Sequence, residues 1–192
     1  MEFLVLNWQR LVDMALDLSL LIKNSGYRPD SIVAILRGGY IVGKLVSDFL
    51  GVEDLVVLGI TSYGTRVGSG EEPVVTYPII RDLRGRDVLL VDDVADSGRT
   101  LTMARDMLRF YGVKNVRMAT LFIKPWSRIR PDYYVGITDR WVLFPWEIGE
   151  VVRSQLSKSD INTVIRELEL IEHFGEGFVS KFVKLFSTTH TQ

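Results

Sequence analysis

Cysteine is absent from the chain, which removes disulfides, thiolate catalysis and cysteine-ligated zinc together. Histidine is nearly as scarce. His173 and His190 are the only two, and neither has a partner at metal-ligand spacing, so both read as structural or solvated. An excess of positive charge is also missing: 23 Lys and Arg face 24 Asp and Glu, for a formal net charge of −1. That balance argues against a nucleic-acid backbone as the main partner. No uncharged apolar run approaches the ~20 residues that cross a bilayer. The start, Met1-Glu2-Phe3-Leu4, carries acid instead of base and has no signal-peptide cleavage pattern. The expectation is a cytoplasmic protein without membrane or nucleic-acid partners. What is present is ordinary for a globular chain: 192 residues, 47% hydrophobic and 24% charged, enough for one domain with a small appendage.

The pattern alternates strands and helices, which predicts an α/β domain with a mainly parallel sheet flanked by helices. Apolar spacing predicts a helix over Leu11 to Lys23, a buried strand over Ser31 to Leu36, and a helix from Tyr40 to Leu50 closed by Gly51. A strand over Leu55 to Ile60 runs into a glycine-containing loop from Ser62 to Glu72. Val74 to Ile80 reads as a strand that Pro78 places at a sheet edge. Asp87 to Val91 is an apolar strand, Asp92 to Arg99 a polar turn, Thr100 to Tyr111 a helix and Val116 to Ile123 the next strand. The stretch from Trp126 to Trp146 is aromatic and irregular. Beyond Val152, Asp160 suits the cap of a helix with Ile161, Val164, Ile165, Leu168 and Ile171 on one face. Phe178, Val179, Phe182, Val183 and Phe186 repeat that spacing, so a two-helix appendage is expected.

The chemistry concentrates in Val88-Leu89-Leu90-Val91-Asp92-Asp93-Val94-Ala95-Asp96-Ser97-Gly98-Arg99-Thr100. Ligands of open α/β sheets sit outside the carboxyl ends of the strands, and three carboxylates stand at that place here. A helix start follows at once. Its N–H groups, with the Ser97 and Thr100 hydroxyls, suit phosphate, and Gly98 lets the backbone come close. The carboxylates would repel phosphate directly, but they suit hydroxyl donors or Mg²⁺ beside it. A sugar phosphate satisfies both halves.

This segment resembles the signature by which type I phosphoribosyltransferases bind phosphoribosyl pyrophosphate (PRPP). The resemblance implies that Asp92 and Asp93 hold the ribose hydroxyls and that Ala95, Asp96, Ser97, Gly98, Arg99 and Thr100 cradle the 5′-phosphate. It also implies that Asp96 faces N7 of a purine and accepts its proton. Leu36-Arg37-Gly38-Gly39 stands where the family has its pyrophosphate loop, with Arg37 as a charged fork and the Gly38 N–H as a close donor. Ser62-Tyr63-Gly64 resembles the start of the family's lid, which would keep water from the reacting ribose. Phe122-Ile123-Lys124-Pro125 and Trp141-Val142-Leu143-Phe144-Pro145-Trp146-Glu147 resemble the hood of xanthine-guanine phosphoribosyltransferases. Carried over, Trp141 stacks on the purine, the Val142 carbonyl meets a ring-edge donor, and Lys124 donates to the 6-oxygen. Asp92, Asp93 and Glu147 become the Mg²⁺ ligands. Glu147 replaces the family's usual Asp, Arg99 replaces a common Lys, and Trp146 reads as ordinary packing.

The resemblance covers residues 1–151, with the hood mainly at 124–151, and leaves 152–192 as an extension. It implies a purine phosphoribosyltransferase that turns a purine base and PRPP into a nucleoside monophosphate and pyrophosphate, working as a homodimer. Lys124 favours a 6-oxopurine, since an ammonium donates to a 6-oxo group but meets adenine donor to donor. Adenine on the same scaffold stays open, as does a PRPP-sensing regulator. Residues 152–192 carry five basic and five acidic side chains, so no DNA-reading face is evident there.

Overall fold

Strands buried on both faces read as continuous apolar runs and belong in the middle of parallel sheets. In the computed structural model of the protein, which describes residues 2–63 and 72–187, the two such runs are neighbours. The elements in chain order begin with β1 (Phe3–Val5), α1 (Trp8–Asn24), β2 (Ser31–Leu36), α2 (Gly38–Leu50) and β3 (Leu55–Tyr63). There follow β4 (Glu72–Tyr77), β5 (Asp87–Ala95), α3 (Arg99–Phe110), β6 (Asn115–Ile123), β7 (Tyr133–Ile137) and β8 (Trp141–Leu143). The last four elements are α4 (Ile148–Gln155), α5 (Ile161–Glu167), α6 (Leu170–Phe174) and α7 (Glu176–Ser187). Residues 64–71 of the glycine-containing loop, where a lid was expected, and His190 lie outside the described residues.

The chain divides into two compact units, Val12–Asp139 and Met1–Leu11 with Arg140–Gln192. The first contains a six-stranded sheet of order β4-β3-β2-β5-β6-β7. All its pairings are parallel except β3 with β4; β4 is an edge strand as expected, but it spans Glu72–Tyr77 and ends before Pro78. The core packs Val33, Ile35, Leu58, Val88 and Leu90 of the strands against Leu101, Ala104 and Leu108 of α3. Helix α2 lies close on β2: a Cβ on Gly43 would come 2.8 Å from the Ala34 Cβ. Gly51, at φ +69, ends that helix by donating to the Asp48 carbonyl.

The second unit is built on a two-stranded parallel ribbon of β1 and β8, in register from Phe3↔Trp141 to Val5↔Leu143. Val5 and Leu143 share one core with Ile148, Val152, Val164, Ile165, Leu168, Leu170 and Val179. The helical extension is therefore packed on the ribbon that begins with Trp141. Its apolar stripe finds a surface to cover, as an amphipathic helix must.

Three expectations need correction. The extension is not two helices: the 161–171 stretch breaks into α5 and α6. Leu168 leaves the helix, and Glu169 takes φ +49, a region that side-chain-bearing residues rarely enter. The polar turn at Asp92 is strand as far as Ala95, because β6 is long enough to supply ladder partners, Asp92↔Thr120 through Ala95↔Ile123. The irregular stretch after Lys124 contains β7 and β8. Asp160 does cap α5, its carboxylate accepting from the N–H groups of Asn162 and Thr163 at 3.0 and 3.1 Å. Among the described residues, no helix is long and apolar enough to cross a membrane.

Candidate active site

β2 and β5 are adjacent, yet the chain leaves them in opposite directions. β2 continues through α2 to β3 on one side, and β5 through α3 to β6 on the other. The crevice above their carboxyl ends is where doubly wound sheets take ligands. Arg37 follows β2 there, joined to Leu36 by a cis peptide bond, and α2 starts with Gly38. A Cβ on Gly39 would lie 2.8 Å from the Cα of Asp92, from its Oδ1 and from the Val91 carbonyl oxygen. The start of α2 thus rests directly on the end of β5.

Asp92 and Asp93 are half-buried at that contact. The Asp93 N–H donates to Asp92 Oδ1 at 3.0 Å, and the Val94 N–H to Asp93 Oδ1 at 2.8 Å. Burial pushes the Asp92 carboxyl well above the ordinary range, and the Asp93 charge adds to the push. Asp93 is also raised by burial, against the opposing Val94 hydrogen bond. Two adjacent carboxyl groups that resist ionisation gain from hydroxyl donors or a hard cation.

Beyond Ala95 the chain turns outward. Asp96 and Ser97 are exposed, and Gly98 adopts φ +81 before α3 begins at Arg99. The Arg99 N–H approaches Ser97 Oγ at 3.4 Å, while the Thr102 N–H and hydroxyl both donate to the Gly98 carbonyl. Gly98 has no room for a side chain: a Cβ would strike Ile129 Cγ2 and stand 3.0 Å from the Ile129 nitrogen. With Thr100 in its first turn, α3 starts directly beyond this loop, and a helix N-terminus suits an anion.

Lys124 follows β6 directly, beside this loop, and its N–H donates to the Ala95 carbonyl at 3.0 Å. Only 7% of it is exposed. Burial lowers the pKa of its ammonium group, with Asp96 and Asp139 pulling it back up. Arg37, Gly38, the Asp92–Thr100 segment and Lys124 therefore share one edge of the sheet. The backbone of Ser62 and Tyr63, at the end of β3, pairs with Pro73 and Glu72 of β4.

One residue here escaped the sequence reading. The Trp126 indole N–H donates to Asp96 Oδ1 at 2.8 Å, and its ring lies 5.5 Å from Lys124 Nζ. The only available signal was its place two residues after Lys124.

In the other unit, Trp141 is half exposed, and Val142 is buried. The Trp141 N–H donates to the Glu2 carbonyl, and the Leu6 N–H to the Leu143 carbonyl. In a parallel ladder, alternate residues face the partner, so the Val142 carbonyl points to the opposite, unpaired edge of the ribbon. Trp146 stacks on Phe144 with centroids 4.7 Å apart, the packing role expected of it. Glu147 stands at the start of α4 in this unit without a side-chain capping bond, whereas Asp92 and Asp93 belong to the sheet unit. Among the described residues no three His, Asp or Glu side chains gather as a metal-holding group. His173 lies 3.8 Å from Glu169 and against the Phe174 ring.

Comparison with known proteins adds three findings. A family model described as the phosphoribosyl transferase domain matches residues 5–152. A xanthine-guanine phosphoribosyltransferase of Gluconobacter oxydans is 32% identical over 144 residues, covering 74% of this chain and 82% of the relative. A solved purine phosphoribosyltransferase from Pyrococcus horikoshii is similar at 37% identity and a TM-score of 0.67, covering 76% of this chain and 94% of that one.

Proposed function

Because the chain belongs to the phosphoribosyl transferase family, we propose that it joins a 6-oxopurine base to PRPP, giving a nucleoside 5′-monophosphate and pyrophosphate. The observation that carries this reading is the contact of Gly39 on Asp92. It sets the loop suited to pyrophosphate against the carboxylates suited to ribose, next to a helix start suited to phosphate.

In the reaction, a purine nitrogen forms a bond to ribose C1 as the bond from C1 to the pyrophosphate oxygen breaks. The ribose carries positive charge at the crossing point, as in other glycosyl transfers. Asp92 and Asp93 hold the ribose hydroxyls. The Ala95–Thr100 loop, with Asp96, Ser97, Gly98 and Arg99, binds the 5′-phosphate, and Arg37 with the Gly38 N–H receives the departing pyrophosphate. The proton lost from the purine passes to Asp96. Lys124 donates to the 6-oxygen, Trp141 offers a stacking face, and the Val142 carbonyl accepts from the ring edge. Ser62 and Tyr63 begin the lid.

The raised, oxygen-only pair Asp92 and Asp93 fits a hard divalent cation. Mg²⁺ bound there would neutralise charge on the leaving pyrophosphate. Residues 1–151 form the catalytic module and 152–192 its extension, and the enzyme works as a cytoplasmic homodimer. The buried Lys124 donor and the names of the relatives, xanthine-guanine and purine phosphoribosyltransferases, support a 6-oxo base over adenine.

The test is pyrophosphate release from PRPP and Mg²⁺ with hypoxanthine, guanine, xanthine or adenine. The 6-oxopurines should turn over and adenine should not, and Asp96→Asn should lower kcat by roughly 10²-fold. A protein inactive with every purine would refute the reading.

A further inference from the structure

The turn after β6 is stitched to the loop after β5 at several points. Lys124 donates its N–H to the Ala95 carbonyl at 3.0 Å, and Arg128 donates to the Ser97 carbonyl at 3.2 Å. Between them, Gly98 fits against Ile129 and Ser127 only because it lacks a Cβ. Ser127 closes the turn on itself, its N–H reaching the Lys124 carbonyl and its hydroxyl the Ile129 carbonyl. A turn held this firmly fixes where its remaining side chain stands.

That side chain is Trp126. It is 55% exposed, so burial of its ring does little to explain it. What the ring does have is a 2.8 Å hydrogen bond from its indole nitrogen to Asp96 Oδ1. We infer that Trp126 is a positioning residue for Asp96: it occupies Oδ1 and leaves Oδ2 aimed as the oxygen that takes the purine proton. The inference rests on the function proposed above.

The chemistry of the donor suits this task. An exposed carboxylate turns broadly about its last torsion, and a single fixed N–H selects one orientation. Indole can only donate, so it never competes with Asp96 for the proton. It is also neutral, so it orients the carboxylate without placing a second charge against it. The same ring lies 5.5 Å from Lys124 Nζ. One indole therefore borders both sheet-unit groups proposed to meet the base, a carboxylate at its edge and an ammonium near its face.

Trp126→Phe removes the N–H and keeps an aromatic ring beside Lys124. With a 6-oxopurine and PRPP, kcat should fall about tenfold, the scale of a hydrogen bond to a charged group. KM for PRPP should change less than kcat, because Asp92, Asp93, Ser97, Gly98, Arg99 and Thr100 keep their proposed ribose and phosphate contacts. Added to Asp96→Asn, the same substitution should cost nothing further, since the group it serves has lost its role. A melting temperature equal to that of the unmodified protein separates this from loss of fold. An unchanged kcat in Trp126→Phe overturns the inference, and so does a tenfold loss that repeats in full in the Asp96→Asn background. In either case Asp96→Asn alone still reports on the wider reading. If the unmodified protein turns over no purine, the proposed function fails and takes this inference with it.

Discussion

Gly39→Ala is the sharpest probe of how the site is assembled. Gly39 is not in the left-handed region, so the question is one of space and not of backbone conformation. Its added Cβ would meet three atoms at 2.8 Å, of which two, the Asp92 Cα and the Val91 carbonyl oxygen, are backbone. Comfortable contact between carbon atoms starts near 3.5 Å, so the start of α2 and the end of β5 must separate by about 0.7 Å. Overpacking of this kind costs roughly 1–3 kcal/mol, and the better helix propensity of Ala returns up to about 1 kcal/mol. The net, near 1 kcal/mol, lowers the melting temperature by about 2–4 °C in a chain of this size. The catalytic effect should be larger, because the parts pushed apart are the Arg37–Gly38 loop and Asp92. Misplacement approaching 1 Å can cost on the order of 10²-fold, so kcat/KM for PRPP should fall between about tenfold and a hundredfold. Gly177→Ala is the control. It lies in α7 with nothing within 4 Å of an added Cβ, and should stabilise slightly without touching turnover. Steady-state kinetics and thermal melting on the two variants suffice. A Gly39→Ala protein with unaltered kcat/KM for PRPP would show that the two loops are not packed as described.

Two other outcomes follow from the electrostatics and the second core. Because the carboxyls of Asp92 and Asp93 are raised in the folded protein, their contribution to stability is fully present below the ordinary aspartate range near 4. It is lost as pH rises through the raised values. Asp92→Asn should therefore gain in melting temperature relative to the unmodified protein as pH rises, and a constant difference across the pH series would refute this. Leu168, 1% exposed in the core shared with Val5 and Leu143, should cost roughly 2–5 kcal/mol when cut to Ala. Chemical denaturation measures this, and a loss under about 1 kcal/mol would mean the extension is not part of that core.

The sheet was legible because its central strands are unbroken apolar runs, and the edge strand stops one residue short of Pro78, the proline that marked it. The phosphate loop was legible because acids, glycine and hydroxyls crowd a strand end within a few residues. Contacts between distant residues were not. Trp126 meets Asp96 across 30 positions, and nothing in its neighbourhood advertises a hydrogen bond. β1 and β8, three residues each, are too short for any period to show. The break between α5 and α6 falls at Glu169, where neither glycine nor proline marks a stop, and the apolar spacing continues across it.

The ribbon of β1 and β8 also has a history in time. Phe3 pairs with Trp141, a span like the 138 positions between the ion-paired Glu2 and Arg140. At ~5–20 residues per second of synthesis, a nascent Phe3–Val5 waits roughly 7–28 s for its partner to leave the ribosome. The sheet of Val12–Asp139 closes on shorter connections and can form during that interval. Phe3, Leu4 and Val5 stay uncovered throughout, and a strand of only three residues keeps the sticky surface presented to chaperones and other nascent chains small.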